Sequence, residues 1–278
     1  SVEKTELNDR ESAELEWKLG RKLALVGRTD AAERYLEHAL ALSRELPDTS
    51  LAAQIYASLG IVLQMRGRFR EIEELANRGI DLLEDADAPR LLGSCYNSKG
   101  NSLLARCKWK EAMEALQQAR QIADSSATEH LGIVTRCNIG LIDLLVGNWS
   151  SAEEGLNEAY QAAVELGSSY CLTVASRVLG MLRLRQGDLI EAGRLLVEAR
   201  TRAQQSGDSW GMALALSDLG ELSAERGDVQ RALIEYGQSL ALMEKIGCND
   251  DLPELLRRRA VALIAAGRVP EGESCATR

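Results

Sequence analysis

Apolar residues recur along the chain at helical spacing and are interrupted by glycine at regular intervals. The first apolar series consists of Leu15, Leu19, Leu23 and Val26. Its spacing of three or four positions predicts an amphipathic helix. Gly27 ends this helix, because glycine adopts the left-handed C-terminal conformation at little cost. A second helix follows the turn, with inward positions predicted at Ala32, Leu36, Ala39, Leu40 and Leu46.

The same two-helix pattern returns every forty residues. A glycine within the first helix of a period lies at Gly20, Gly60, Gly100, Gly140, Gly180 and Gly220. The turn glycine lies at Gly27, Gly67, Gly147, Gly187, Gly227 and Gly267, and Cys107 replaces it in the remaining period. Fixed periods of about 20 to 50 residues are typical of solenoids and related arrays. The sequence therefore predicts a single elongated domain over 1–278, with repeats near 9–48, 49–88, 89–128, 129–168, 169–208, 209–248 and 249–278.

The glycine within each first helix requires a physical explanation. Glycine in a helix interior costs about 0.5–1 kcal/mol relative to alanine. We expect this cost to be offset by close approach of the second helix, which carries a small residue such as Ala32 or Ala112 at the predicted crossing point.

Composition and charge narrow the classes of protein that remain. The chain is 45% hydrophobic and 27% charged, with one Phe and four Pro, which favours a soluble helical protein. A net charge of −9 disfavours direct binding to nucleic acid. No apolar run approaches the roughly 20 residues of a membrane span. The six cysteines form no CxxC pair or metal-ligand spacing, so we expect a cytoplasmic protein without a metal or other cofactor.

The repeat pattern resembles the tetratricopeptide repeat (TPR). The resemblance is carried by Leu19-Gly20, Gly27, Ala32, Leu36, Ala39 and their equivalents forty residues apart. It implies an all-α fold, a right-handed α-solenoid of about seven helical hairpins, of which the seventh is truncated. Repeats of forty residues are similar to those of polarity adaptors and of MalT-like bacterial signalling and transcriptional regulators. Lys99 and Arg257-Arg258-Arg259 depart from the Leu-Gly element.

In this family, the first helices of the hairpins line a concave groove that binds a partner. The resemblance places in this groove Trp17, Arg21, Asn97, Asn101, Asn138, Arg177, Arg185, Asp218, Glu221 and Arg257, with Arg258 beside the last. Asparagine amides can hold the backbone of an extended peptide, and arginines can bind carboxylates in a bidentate manner. For each residue taken alone, the alternative is an ordinary solvated polar surface.

Catalytic motifs are absent from the sequence. The two histidines, His38 and His130, are far apart, and no phosphate-binding glycine loop or metal cluster occurs. We therefore do not expect an enzyme, and predict a scaffold that binds a protein or peptide.

The chain lacks an initiator Met and its last repeat is short, so we expect this scaffold to be the interaction or sensing region of a larger regulatory protein. The alternative is a ligand-responsive or self-associating arm of a bacterial transcriptional activator. An apolar face after Gly267 predicts contacts between copies through the terminal repeats.

Overall fold

The chain folds entirely into helices where its structure is described. The computed structural model describes residues 8–43, 46, 49–66, 68–83, 86–247 and 252–277. Within these ranges it contains fourteen α-helices and no strand, which confirms the all-α prediction. The helices are α1 Asp9–Leu25, α2 Thr29–Ser43, α3 Thr49–Met65, α4 Phe69–Leu83, α5 Pro89–Ala105, α6 Trp109–Ser125, α7 Glu129–Val146, α8 Trp149–Leu166, α9 Ser169–Arg185, α10 Leu189–Ser206, α11 Ser209–Glu225, α12 Val229–Ile246, α13 Leu252–Ala265 and α14 Val269–Ala276.

Consecutive helices pair into hairpins, and the hairpins form two compact units. The N-terminal unit, Ser1–Ser126, contains the hairpins made by α1 to α6, and the C-terminal unit, Ala127–Arg278, contains those made by α7 to α14. We call the odd-numbered helix of each hairpin its A helix and the even-numbered helix its B helix. Within each unit, successive A helices contact each other, so residues about forty apart on these helices lie side by side.

Local signals set the helix ends as the sequence predicts. Asn8 caps α1 in a capping box with Glu11, in which each side chain accepts a hydrogen bond from the other residue's backbone N–H. Gly27 has a φ of +75°, the left-handed conformation expected at the turn. Cys107 occupies the equivalent turn at a φ of +57°, so it adopts the conformation that glycine supplies elsewhere. The predicted turn glycine Gly67 lies outside the described residues.

Close helix approach is confirmed at five of the six A-helix glycines, Gly60 being the exception, although the main neighbour differs from the predicted one. A Cβ atom at Gly20 would lie 2.6 Å from Cγ of Leu36, a large side chain on the B helix, and 3.2 Å from the carbonyl oxygen of Ala32. The equivalent atom at Gly220 would lie 2.5 Å from the ring of Tyr236. The glycine therefore makes room for a large B-helix side chain as well as for the B-helix backbone.

The first apolar series lies differently from its equivalents in the second hairpin. Residues 9–25 form the predicted helix, but Leu15 is 55% exposed and Val26 is 64% exposed. Ile55, the equivalent of Leu15 in α3, is fully buried in a cluster with Leu36 and Leu40 of α2. This repeat position therefore packs against the B helix of the preceding hairpin. Leu15 has no such helix to pack against in the described part of the chain, because α1 is the first helix that the structure describes. The B-helix positions Ala32, Leu36, Ala39 and Leu40 are buried as predicted.

Candidate peptide-binding faces on the A helices

The charged groove residues predicted in the C-terminal unit lie on three adjacent A helices. Arg177 and Arg185 are eight residues, or about two turns, apart on α9, so they share one side of that helix. Asp218 and Glu221 lie on one side of α11 at a spacing of three residues. Because α9 and α11 contact each other, both pairs meet on what we call the A-helix face of this unit, meaning the predicted groove positions of its A helices.

Ion pairs join these side chains into a continuous cluster. Arg177 lies 3.1 Å from the Asp218 carboxylate, and Arg185 lies 2.6 Å from that of Glu221. From α13, Arg258 reaches both acids, with Nη1 at 3.3 Å from Asp218 and at 3.1 Å from Glu221. We call these five residues the arginine–carboxylate cluster.

The centre of the arginine–carboxylate cluster is buried and its edge is open. The side chains of Asp218 and Arg258 are 5% and 14% exposed, whereas that of Arg185 is 43% exposed. Burial alone would lower the pKa of Arg258, but the carboxylates of Asp218 and Glu221 outweigh it and raise this pKa above its ordinary value. Arg258 therefore stays charged although it is buried, and an incoming anion would meet the more exposed Arg185 first.

Arg257, a predicted groove residue, lies outside the arginine–carboxylate cluster. Its side chain is 65% exposed and binds Glu254 on the same helix, at 2.7 Å. Its neighbour Arg258, which the same mapping also names, points about 100° further around the helix and reaches α11. The sequence contains a signal for this difference, because Arg258 follows Asp218 by forty residues and therefore occupies the same repeat position.

On the A-helix face of the N-terminal unit, the contacts centre on the aromatic side chain of Trp17. Trp17 Nε1 donates a hydrogen bond of 2.9 Å to Ser58 Oγ on the next A helix, at a separation of forty-one residues. The guanidinium of Arg21 lies 5.0 Å from the centre of the Trp17 ring, within cation–π range. The two predicted groove residues of α1 are thus brought together.

Three asparagines lie at predicted groove positions of later A helices. Asn97 and Asn101 of α5 and Asn138 of α7 are each half-buried, and Asn97 and Asn138 take part in interactions of their own. Asn101 differs, since its Oδ1 atom is buried and has no hydrogen-bond partner among the described residues. Leaving a buried acceptor unpaired costs about 1–3 kcal/mol, so a donor that reached this amide after a rotation of its side chain would recover that cost.

A cysteine–histidine contact in the C-terminal unit was missed by the sequence analysis. His130 Nδ1 lies 3.3 Å from Cys171 Sγ, although forty-one residues separate them. Cys171 is fully buried, and burial raises the pKa of its thiol. A nucleophilic cysteine requires the opposite shift, because the thiolate is the reactive form. His130 itself is exposed, so the contact joins a surface imidazole to a buried thiol that is not activated.

The described residues contain neither a membrane-spanning helix nor a cluster of metal ligands. No helix in these ranges is long and apolar enough to cross a bilayer. Nor do three or more His, Cys, Asp or Glu side chains come together there as a possible metal site.

A family model for the tetratricopeptide repeat matches residues 11–85 and 170–245, which together exceed half of the chain. The chain therefore belongs to the tetratricopeptide repeat family. This confirms the resemblance drawn from Leu19-Gly20, Gly27 and their equivalents. The comparison with curated proteins found no match.

Solved structures of bacterial regulators share the fold. The Rap conjugation gene regulator of the plasmid pLS20, in complex with the Phr* peptide, has a TM-score of 0.74 at 16% identity, covering 96% of this chain and 72% of that chain. The apo form of RapI gives 0.67 at 15% identity, covering 95% of each chain. NprR in complex with its cognate peptide NprX gives 0.60 at 15%, covering 95% of this chain and 76% of that one. At these identities the likeness establishes the fold alone.

Proposed function

We propose that this protein is a non-catalytic regulator, or the sensing part of a larger one, that binds an extended peptide on its A-helix faces. The pLS20 regulator and NprR, which share the fold, are each described in complex with a peptide. Two hairpin units with polar A-helix faces suit the same kind of ligand, because an extended peptide presents backbone groups at regular intervals.

Asn101 is the observation that carries the proposal. Its Oδ1 atom is buried without a partner in the described part of the chain, on a face where Trp17 and Arg21 provide an aromatic and a cationic surface. A backbone N–H of a bound peptide would satisfy this acceptor. Because the side chain is already half-buried, little rotamer freedom is lost on binding, and this favours affinity.

The arginine–carboxylate cluster has a second role in this proposal. Its buried members hold α9, α11 and α13 at a fixed spacing, so this part of the face is formed before a peptide arrives. Arg185 is exposed and bound to Glu221, and it can exchange that carboxylate for one from an acidic peptide side chain. We therefore expect selected peptides to carry an acidic residue.

The proposal is tested by selecting peptides from a random library displayed on phage and measuring the affinity of the best one. Asn101→Ala should weaken binding about tenfold, as expected for one hydrogen bond worth about 1.5 kcal/mol. Gln118→Ala, on the exposed side of α6, is the control and should leave the affinity unchanged. Failure to select any peptide, or equal affinity for the Asn101→Ala and Gln118→Ala variants, would count against the proposal.

Arg185 provides a second test on the C-terminal unit. Arg185→Ala should weaken binding of an acidic peptide several-fold, whereas Arg257→Ala, which removes a more exposed arginine outside the cluster, should not. The same loss in both variants would indicate a non-specific attraction between charges.

A further inference from the structure

A periodic contact joins the end of an A helix to the B helix of the preceding hairpin. Arg66 binds the carboxylate of Glu33, thirty-three residues earlier. Arg106 binds Glu73 at the same separation. In the C-terminal unit, Gln186 donates a hydrogen bond of 2.9 Å to Glu153, again thirty-three residues earlier. We call this contact the latch; in each case a glutamate on the B helix is the acceptor.

The sixth hairpin keeps the donor of the latch and lacks its acceptor. Arg226 occupies the donor position, and thirty-three residues earlier the chain has Gly193 in place of glutamate. Arg226 therefore pairs with no carboxylate in the described ranges, and its Nη2 donates to the carbonyl oxygen of Leu189. A Cβ atom at Gly193 would lie 2.9 Å from this Nη2, so the guanidinium rests where the glutamate side chain would begin.

Gly193 and Arg226 line a cavity of about 400 Å³ between α10, α11 and α12. This volume lies within the range of ligand pockets, roughly 300–1,000 Å³. Leu219 and Leu222 are among its apolar lining residues, and they are buried in a core cluster. Ile190 and Val197 also line the cavity and are exposed, Ile190 by 84%.

The charges around the cavity leave Arg226 as the group available to an anion. Arg194 is bound to Glu191 and Glu198 on its own helix. Arg231 is bound to Glu235, which also accepts a hydrogen bond of 2.6 Å from Ser223. Asp228 accepts from the backbone N–H of Arg231 as the cap of α12. Arg226 has only a neutral carbonyl as its partner, so an added carboxylate would gain a full ion pair there.

We propose that this cavity binds a glutamate side chain presented by a partner protein, flanked by leucine or isoleucine residues. The chain itself uses glutamate as the latch acceptor at Glu33, Glu73 and Glu153, so the vacant position has the reach and direction suited to that side chain. The exposed Ile190 and Val197 at the cavity provide apolar contacts for the neighbouring residues of the partner. This site is independent of the A-helix faces, and its failure would leave the function proposed above intact.

The test uses two synthetic peptides, acetyl-Leu-Glu-Leu-Leu-amide and its Gln counterpart, titrated into the ¹⁵N-labelled chain. The Arg226 Nε–H and Gly193 amide resonances should shift saturably with the Glu peptide, and binding of the Gln peptide should be at least tenfold weaker. Gly193→Glu supplies the missing latch acceptor and should abolish binding while leaving the thermal midpoint equal or higher. Gly155→Glu, which places the same side chain in open space on α8, should bind as the parent does.

Other outcomes overturn the proposal. These are equal binding of the two peptides, shifts confined to residues away from the cavity, or undiminished binding by Gly193→Glu. If Gly193→Glu lowers the thermal midpoint, Arg226→Gln is the variant used in its place. Arg226→Gln should then bind the Glu peptide and the Gln peptide equally, and a remaining preference for the Glu peptide would overturn the proposal. A free small acid, 4-methylpentanoate, serves as a separate arm; binding as tight as that of the Glu peptide would rule out a partner protein as the specific ligand.

Discussion

Charged contacts between hairpins lie at the latch in both units, and in the C-terminal unit ion pairs also join the A helices. In the N-terminal unit the ion pairs lie at the latch, between Arg66 and Glu33 and between Arg106 and Glu73, while the A helices meet through the neutral contact of Trp17 with Ser58. In the C-terminal unit the A helices are joined by the arginine–carboxylate cluster, and one latch has lost its glutamate at Gly193.

This difference shows that the forty-residue repeat determines which positions are in contact. The residues at those positions determine whether the contact is neutral or charged. Trp17 with Ser58 and Arg177 with Asp218 are pairs forty-one residues apart on successive A helices. The first pair is uncharged, and the same unit contains Asn101 with an unpaired buried acceptor. The second satisfies its own charges, so a ligand there must exchange partners.

The largest expected effect comes from removing the central cation of the C-terminal face. Arg258→Ala leaves Asp218 buried with Arg177 as its remaining ion-pair partner, which we expect to lower the free energy of unfolding by about 3 kcal/mol, the lower end for breaking a buried pair. Arg257→Ala, one residue away and exposed, should cost less than about 1 kcal/mol. Urea unfolding of both variants measures the difference, and equal losses would contradict the division between buried and exposed arginines.

The A-helix glycines of repeats two and four should respond differently to an added methyl group. A Cβ atom at Gly140 would lie 2.7 Å from Leu156, so Gly140→Ala should cost about 1–3 kcal/mol by overpacking. At Gly60 the equivalent B-helix position is Ala76, and the nearest atom would be 3.9 Å away. Gly60→Ala should therefore stabilise the protein by about 0.5–1 kcal/mol. Thermal unfolding would show midpoints moving in opposite directions; destabilisation by Gly60→Ala would refute this account of repeat two.

The latch of the N-terminal unit should contribute a smaller amount. Glu73→Gln replaces the charged acceptor of Arg106, and both side chains are about a quarter exposed, so we expect a loss of about 1 kcal/mol. Glu74→Gln alters the next, exposed carboxylate of α4 and serves as the control. If the two variants have the same urea midpoint, the charges at this latch do not stabilise the unit.

The smallest effect concerns acid stability at the edge of the arginine–carboxylate cluster. Hydrogen bonding to Arg257, with a further contribution from Arg258, outweighs burial and lowers the pKa of Glu254 to about 2 from 4.5. Ionised Glu254 therefore stabilises the fold above pH 4.5, and this contribution is lost as the pH falls from 4.5 to about 2. Because its side chain is 52% exposed, we expect less than about 1 kcal/mol. The drop in urea midpoint between pH 6 and pH 3 should be smaller in Glu254→Gln than in the parent; equal drops would contradict the assignment.

Much of the fold follows from the sequence because each period repeats the same local signals. The turn at Gly27 and the A-helix glycine Gly20 are local features, and they place the helices correctly. Contacts between hairpins are harder to predict, since a one-residue step turns a side chain by about 100°, enough to separate Arg257 from Arg258. The exposure of Leu15 likewise depends on which helix precedes it and cannot be read from its spacing.

The pairing among the predicted site residues was missed, and their role in binding stays a prediction. The sequence places Arg177 and Asp218 on facing helices, but it assigns both to a ligand and does not show that they bind each other. The latch and its absence at Gly193 were missed as well, although Glu33, Glu73 and Glu153 lie forty residues apart or a multiple of it. A search for pairs of opposite charge at separations near one repeat would have found these contacts.

The central claim, that the A-helix faces bind an extended peptide, is tested most directly by nuclear Overhauser contacts in the complex with a phage-selected peptide. The account predicts contacts between the Asn101 side-chain amide and the backbone of the peptide, with loss of those contacts and about tenfold weaker binding in Asn101→Ala. Contacts confined to B-helix residues such as Gln118, with Asn101 unaffected, would contradict it.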